Sequence, residues 1–156
     1  YQNFESNIYQ GLLQSLEKIK KYHQINLVLS SKSFQYTPDG IIQGFTKFCT
    51  ENSLTFDIIP DLDDDYDLQV NQVYIVFLEY DLIKMINWTT KNKLKVGKDI
   101  GIISCDDTPL KEIIAEGISV ISNDFKKMGK RAAEMILNHE KGRESNDFYF
   151  IDRGSL

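Results

Sequence analysis

Polar and aromatic side chains follow the predicted strands of this 156-residue chain at the points where those strands end. The set comprises Lys32, Phe34, Tyr36, Glu79, Asp106, Asp107, Asn123 and Asp124. A carboxylate accepts charge-assisted hydrogen bonds from two adjacent hydroxyls, and an aromatic face covers the C–H side of a sugar ring. In open parallel sheets, ligands bind beyond the carboxyl ends of the strands. The pattern therefore favours a binding site for a small polyhydroxylated molecule.

Three of these carboxylates also have a structural interpretation. Glu79, Asp107 and Asp124 lie at predicted helix starts, where a carboxylate caps free N–H groups and interacts favourably with the helix dipole. The structural role is the favoured one for each of the three. Asp106 precedes the cap position, so it is the strongest candidate for a ligand contact.

Other catalytic and metal-binding patterns fail on spacing. The chain has no G-x-G-x-x-G, G-x-x-x-x-G-K-[ST] or G-x-S-x-G motif, which dinucleotide, P-loop and nucleophile-elbow sites require. Asp61, Asp63 and Asp65 match ligand positions of a calcium loop, but Tyr66 replaces its turn glycine and Gln72 its bidentate glutamate. The sequence therefore predicts no metal or other cofactor and no enzymatic activity.

The elements that must position the candidate residues alternate between strand and helix patterns. Apolar runs predict strands at 25–30, 54–59, 72–78, 99–105, 118–122 and 148–152. Helical spacing predicts helices at 8–19, 80–92 and 124–141, one that Thr37 caps and Pro38 begins, and a short one that Thr108 and Pro109 begin. The alternation predicts an α/β fold with a mainly parallel sheet and helices on both faces.

Composition limits the class of protein. The chain is 42% hydrophobic with a net charge of −5, which is typical of a single globular domain and unfavourable for nucleic-acid binding by these residues. Cys49 and Cys105 lack C-x-x-C spacing and lie among apolar residues, so we expect buried thiols in a reducing compartment. No apolar run reaches the length of a membrane span.

Three stretches resemble a known family of regulators. They are VGKDIGIISCDDTPL from Val96, ISVISNDFKKMGKRAAEMIL from Ile118 and IDRGSL from Ile151. They are similar to the C-terminal half of the effector-binding domain of lactose-repressor-type transcription regulators, and Gly44 and Phe45 match a Gly-Phe pair of the same family. The resemblance implies a two-lobed periplasmic-binding-protein-like fold that closes on a small ligand. The same sensor module is fused in some regulators to a gluconate-repressor-type winged helix.

The resemblance also implies roles for particular residues. Asp106 matches an aspartate that accepts hydrogen bonds from ligand hydroxyls, while Asn123 and Phe125 match polar and aromatic positions beside a crossover between the lobes. Two ligand-binding positions of the family differ here. Its arginine is replaced by Ile41, and its Asn-Asp pair by Leu78 and Glu79.

These observations predict one effector-binding lobe over residues 1–156, in which 124–141 forms a crossover helix that packs in a second lobe. We expect the sensing domain of a cytoplasmic, sugar-responsive transcription regulator that forms a homodimer and contacts DNA through a domain outside this chain, with no membrane partner. The alternative is a secreted sugar-binding protein that delivers its ligand to a transporter. A signal peptide or a helix-turn-helix encoded before Tyr1 would separate the two.

Overall fold

The computed structural model describes residues 1–30, 37–63 and 66–156. Within these residues the helices are α1 (Phe4–Gln14), α2 (Leu16–Ile19), α3 (Asp39–Glu51), α4 (Glu79–Lys91), α5 (Pro109–Ile113) and α6 (Phe125–Leu137). The strands are β1 (Gln24–Val28), β2 (Phe56–Ile59), β3 (Gln72–Val76), β4 (Gly101–Cys105), β5 (Ser119–Asn123) and β6 (Phe148–Ile151).

The strands form one six-stranded sheet in the order β2-β1-β3-β4-β5-β6. The first five strands are parallel, and β6 pairs antiparallel with β5. The carboxyl ends of β1, β3, β4 and β5 therefore meet along one edge of the sheet. This arrangement confirms the predicted mainly parallel α/β fold.

Both faces of the sheet are covered because side chains alternate along each strand. On β3, Val73 and Ile75 join one core cluster with residues of α1 and α3, whereas Tyr74 and Val76 join a second cluster with residues of α4. All four side chains are fully buried. Near-continuous apolar strands of this kind are typical of a parallel sheet between two layers of helices.

Glycine allows α1 and α3 to approach closely. A Cβ built on Gly44 would lie 2.3 Å from the backbone oxygen of Glu5 and 2.4 Å from Ile8 Cγ2. Helix α1 is thereby held against α3, and its first turns reach the carboxyl edge of the sheet.

Several helix boundaries differ from the predicted ones for local reasons. The predicted helix over 8–19 is interrupted at Ser15, whose hydroxyl donates to the carbonyl of Leu12 at 3.0 Å and competes with the helical ladder. Pro38 has an extended ψ of 134°, so it is the N-cap and α3 begins one residue later than predicted. The predicted helix over 124–141 ends at Leu137, followed by Asn138 as C-cap and by His139 with φ of +54°.

The apolar stripe of α6 is not covered by the sheet. No residue of this helix is buried, and Ile136 and Leu137 are 75% and 78% exposed. Ion pairs from Arg131 to Glu140 and Glu144 hold the return segment against the helix. Within the described residues, no helix is both long enough and apolar enough to cross a membrane.

Candidate functional site

A cavity of about 300 Å³ opens at the carboxyl edge of the sheet. It lies between the ends of β1, β3, β4 and β5, the first turns of α1 and α3, and the start of β6. Its apolar lining consists of Phe4, Ile8, Val28, Leu29, Pro38, Ile41, Phe77, Leu78, Cys105, Ile121 and Phe148. Its polar lining consists of Gln2, Asn7, Ser30, Thr37, Asp106 and Asn123. The cavity occupies the position at which open α/β sheets bind ligands.

One polar cluster faces this cavity from three elements. The amide nitrogen of Asn7 donates to Oδ1 of Asn123 at 3.1 Å. The Asn123 side chain also lies near the carboxyl group of Asp106, where it favours the charged form of that group. The bond to Asn7 orients the Asn123 side chain, and the Asp106 carboxylate keeps acceptor capacity for a ligand.

The backbone at Asp106 is held in an uncommon conformation. Its φ of +60° lies in the left-handed region, which aspartate tolerates better than most residues. The buried ammonium of Lys111 donates to the carbonyls of Cys105 and Asp106, at 2.8 Å and 2.6 Å. Lys111 therefore fixes the turn that presents the Asp106 side chain to the cavity.

The surroundings of Asp106 change its protonation. Asp106 keeps contact with solvent, yet the protein atoms around its carboxyl remove part of its hydration and raise its pKa above 3.8. The positive charge of Lys111 and the nearby polar side chain of Asn123 oppose that rise in the pKa. Burial lowers the pKa of Lys111, and the nearby thiol and carboxyl groups act against this shift.

The neighbouring aspartate has a structural role instead. Arg153 donates to both carboxylate oxygens of Asp107, at 2.8 Å and 2.9 Å, and the Asp107 N–H donates to the hydroxyl of Ser122 at 3.0 Å. Asp107 thus joins the chain end to the β4–α5 connection. The sequence predicts a structural role for Asp107 at the start of α5, but the partner of Asp107 is Arg153, and Thr108 is the N-cap of α5.

The remaining predicted site residues lie elsewhere. Glu79 begins α4 and accepts a hydrogen bond from Thr108 Oγ1 at 3.3 Å, outside the cavity lining. Phe125 begins α6, is 42% exposed and is also absent from the lining. Lys32, Phe34 and Tyr36 lie outside the described residues. Asp124 caps α6 by accepting from the Lys127 N–H at 2.8 Å, which confirms its structural interpretation.

The structure adds residues that sequence reasoning missed. Asn7 reaches the cavity from α1, and Phe4, Phe77 and Phe148 supply aromatic walls. Phe77 directly follows β3, so its place at a strand end was a usable signal. The others approach from α1 and β6, and no local pattern predicts that contact. The described residues contain no cluster of three or more His, Cys, Asp or Glu side chains that could hold a metal ion.

A sequence profile of the periplasmic binding protein-like domain matches residues 19–147. The chain belongs to this family. The match includes β1 through α6 and both Asp106 and Asn123. No curated protein sequence is similar enough to count as a match.

Solved structures with the same fold include transcription regulators. A transcription regulator-like protein from Staphylococcus haemolyticus is 16% identical with a TM-score of 0.74, over 99% of this chain and 60% of that one. A periplasmic binding protein/LacI transcriptional regulator from Alkaliphilus metalliredigens QYMF, complexed with D-xylulofuranose, is 15% identical with a TM-score of 0.73, over 99% and 64%. A dimeric Lac repressor is 16% identical with a TM-score of 0.72, over 99% and 62%.

These similarities define the fold of the periplasmic binding protein-like domain. Its sheet and helices match those of type I periplasmic-binding-protein-like domains. The chain spans about three fifths of the length of the solved structures that it matches.

Proposed function

We propose that this periplasmic binding protein-like domain is the small-molecule-binding lobe of a transcription regulator. The observation that carries the proposal is the position of Asp106, which lines a cavity at the carboxyl edge of the sheet together with Asn123. The presence of transcription regulators among the structural relatives supports this proposed role. DNA would be bound by another domain of the complete regulator, which would act in the cytoplasm as a homodimer.

The mechanism that we propose is ligand binding followed by closure of a second lobe. The cavity is open on one side, and a site of this kind buries most of a small ligand only when a second surface covers it. The segment 124–141 would cross into that lobe, which supplies a partner for the exposed apolar residues of α6. Closure coupled to DNA binding is typically worth about 1–3 kcal/mol. The domain would act by binding alone, without catalysis.

The family resemblance and the cavity lining point to different chemical classes of effector. The family resemblance favours a carbohydrate, and one structural relative is complexed with D-xylulofuranose. Most of the cavity lining in this chain is nevertheless apolar.

A binding screen tests the proposed function. The chain is screened by thermal shift against monosaccharides, amines, amides and nucleobases, and each hit is titrated by calorimetry into wild type, Asp106→Asn and Asp124→Asn. Asp124 is the matched control because it caps α6 outside the cavity lining.

We expect Asp106→Asn to weaken binding by about 10- to 150-fold, since a charge-assisted hydrogen bond contributes about 1.5–3 kcal/mol. Asp124→Asn should leave the dissociation constant unchanged. Hits that bind wild type and Asp106→Asn equally well would contradict the proposal.

A further inference from the structure

The charge and polarity of the cavity are distributed unevenly. Among the described lining residues, Asp106 is the one charged side chain. Ile41, Phe77 and Leu78 belong to the apolar part of the lining, and Ile41 is only 6% exposed. The two positions at which the chain departs from the regulator family, Ile41 and Leu78, thus both contribute apolar surface to this cavity.

Part of the hydrogen-bonding capacity at the cavity is used within the protein. The amide of Asn7 donates to Asn123, and the Asn123 side chain lies near Asp106. Ser30 donates its hydroxyl proton to Asp61 at 3.1 Å. Among the described lining residues, the group that both accepts hydrogen bonds and attracts positive charge is the carboxylate of Asp106, and Gln2 and Thr37 add two neutral polar side chains.

A polyhydroxylated ligand fits this distribution poorly. A hydroxyl that enters an apolar environment without a hydrogen-bond partner costs about 1–3 kcal/mol. A monosaccharide carries hydroxyls around its whole ring, whereas 11 of the 17 described lining residues are apolar. An aromatic or branched aliphatic group would instead gain about 25 cal/mol for each Å² of apolar surface that it buries.

We propose that the part of the effector that enters this lobe is a mostly apolar ring bearing an amine, whose nitrogen donates to the carboxylate of Asp106. This inference rests on the proposed function and narrows its ligand class from a carbohydrate to an apolar amine. The ring lies against Ile41, Phe77 and Leu78, and the ammonium lies beside Asp106, where it replaces water as the hydrogen-bond donor.

Two probes and three variants test the inference. The ¹⁵N-labelled chain is titrated into the millimolar range with 2-phenylethylamine or with methyl β-D-galactopyranoside, while the side-chain amide signals of Asn7 and Asn123 are followed. The same titrations are run on Leu78→Asn, Asp106→Asn and Asp124→Asn. Leu78 is the N-cap of α4, and asparagine is a favoured N-cap residue, so Leu78→Asn keeps the fold while adding a polar group to the cavity.

We expect 2-phenylethylamine to shift both amide signals in a saturable way and the galactoside to shift neither over the same range. Leu78→Asn and Asp106→Asn should each weaken amine binding at least tenfold, and Asp124→Asn should not change it. Tighter binding of the galactoside, or amine binding that survives Asp106→Asn, would overturn the inference and leave a small-molecule site in place. No shift with either probe would overturn the inference, and no hit in the wider binding screen would overturn the proposed function as well.

Discussion

Asp106 and Asp107 are adjacent in the chain but have different surroundings. Asp107 forms a bidentate ion pair with Arg153, and both side chains are mostly buried. Asp106 faces the cavity, where loss of hydration penalises its charge. The ion pair gives Asp107 a structural role, whereas ligand binding is the role that we propose for Asp106.

Substitution of each aspartate by asparagine should affect the free energy of unfolding differently. We expect Asp107→Asn to lower the free energy of unfolding by about 1–3 kcal/mol, because Arg153 loses a charge-assisted partner. Asp106→Asn should leave it unchanged or raise it by up to about 0.5 kcal/mol, since asparagine also tolerates the left-handed φ of this position. Urea unfolding measures both values, and a larger loss for Asp106→Asn than for Asp107→Asn would contradict this assignment.

The raised pKa of Asp106 predicts a pH dependence with a defined sign. Because the folded chain holds a proton at this carboxyl more tightly than the unfolded chain, this group's contribution to stability falls as pH rises from 3.8 through the folded pKa. Asp106→Asn removes that contribution. The stability of the variant relative to wild type should therefore increase across this window and then become constant, which urea unfolding between about pH 3 and pH 7 can measure. A relative stability that decreases over the same window would contradict the assignment.

At the scale of elements, the contact between α1 and α3 positions Asn7 at the cavity. Gly44 permits the contact, because a Cβ at this position would meet the backbone of Glu5. We expect Gly44→Ala to destabilise the fold by about 1–3 kcal/mol. Gly129 of α6 is the control, since a Cβ there meets nothing within 4 Å, and Gly129→Ala should stabilise the fold by about 0.5–1 kcal/mol through helix propensity. Thermal unfolding of both variants measures the difference, and equal effects would contradict the packing described here.

Much of the fold could be predicted from the order of apolar runs and stripes. The spacing of those runs depends only on the local chain, so the five parallel strands and the helices between them follow from it.

Strand ends likewise indicated Asp106 and Asn123, because parallel strands bring their carboxyl ends to one edge. Asn7 and Phe148 were not predicted, because both are far from Asp106 in the sequence. They reach the cavity only through the packing of α1 and β6, which no local pattern shows. The end of α6 at Leu137 was missed because the residue with positive φ after the C-cap is His139, whereas glycine is the usual residue at that position.

For the molecule as a whole, α6 is notable because this 13-residue helix has no buried side chain. Phe125, Ile136 and Leu137 are 42%, 75% and 78% exposed. Exposed apolar surface of this extent favours association with another surface. The isolated chain should therefore self-associate through α6 as its concentration rises.

Light scattering after size exclusion tests this prediction. Ile136→Glu should shift the chain toward the 18.1 kDa monomer without lowering the melting temperature, because Ile136 contributes little to the core. A wild-type chain that stays monomeric at high concentration, or a variant that associates equally, would contradict the role given to α6.

We propose that the cavity at the carboxyl edge of the sheet binds the effector through Asp106. A crystal structure of the chain soaked with the strongest hit of the binding screen would locate the bound ligand. We expect ligand density against Phe77 and Leu78, with a donor atom within hydrogen-bond distance of the Asp106 carboxylate. Density that instead fills the surface cleft between α6 and residues 142–147, with an empty cavity at Asp106, would contradict it.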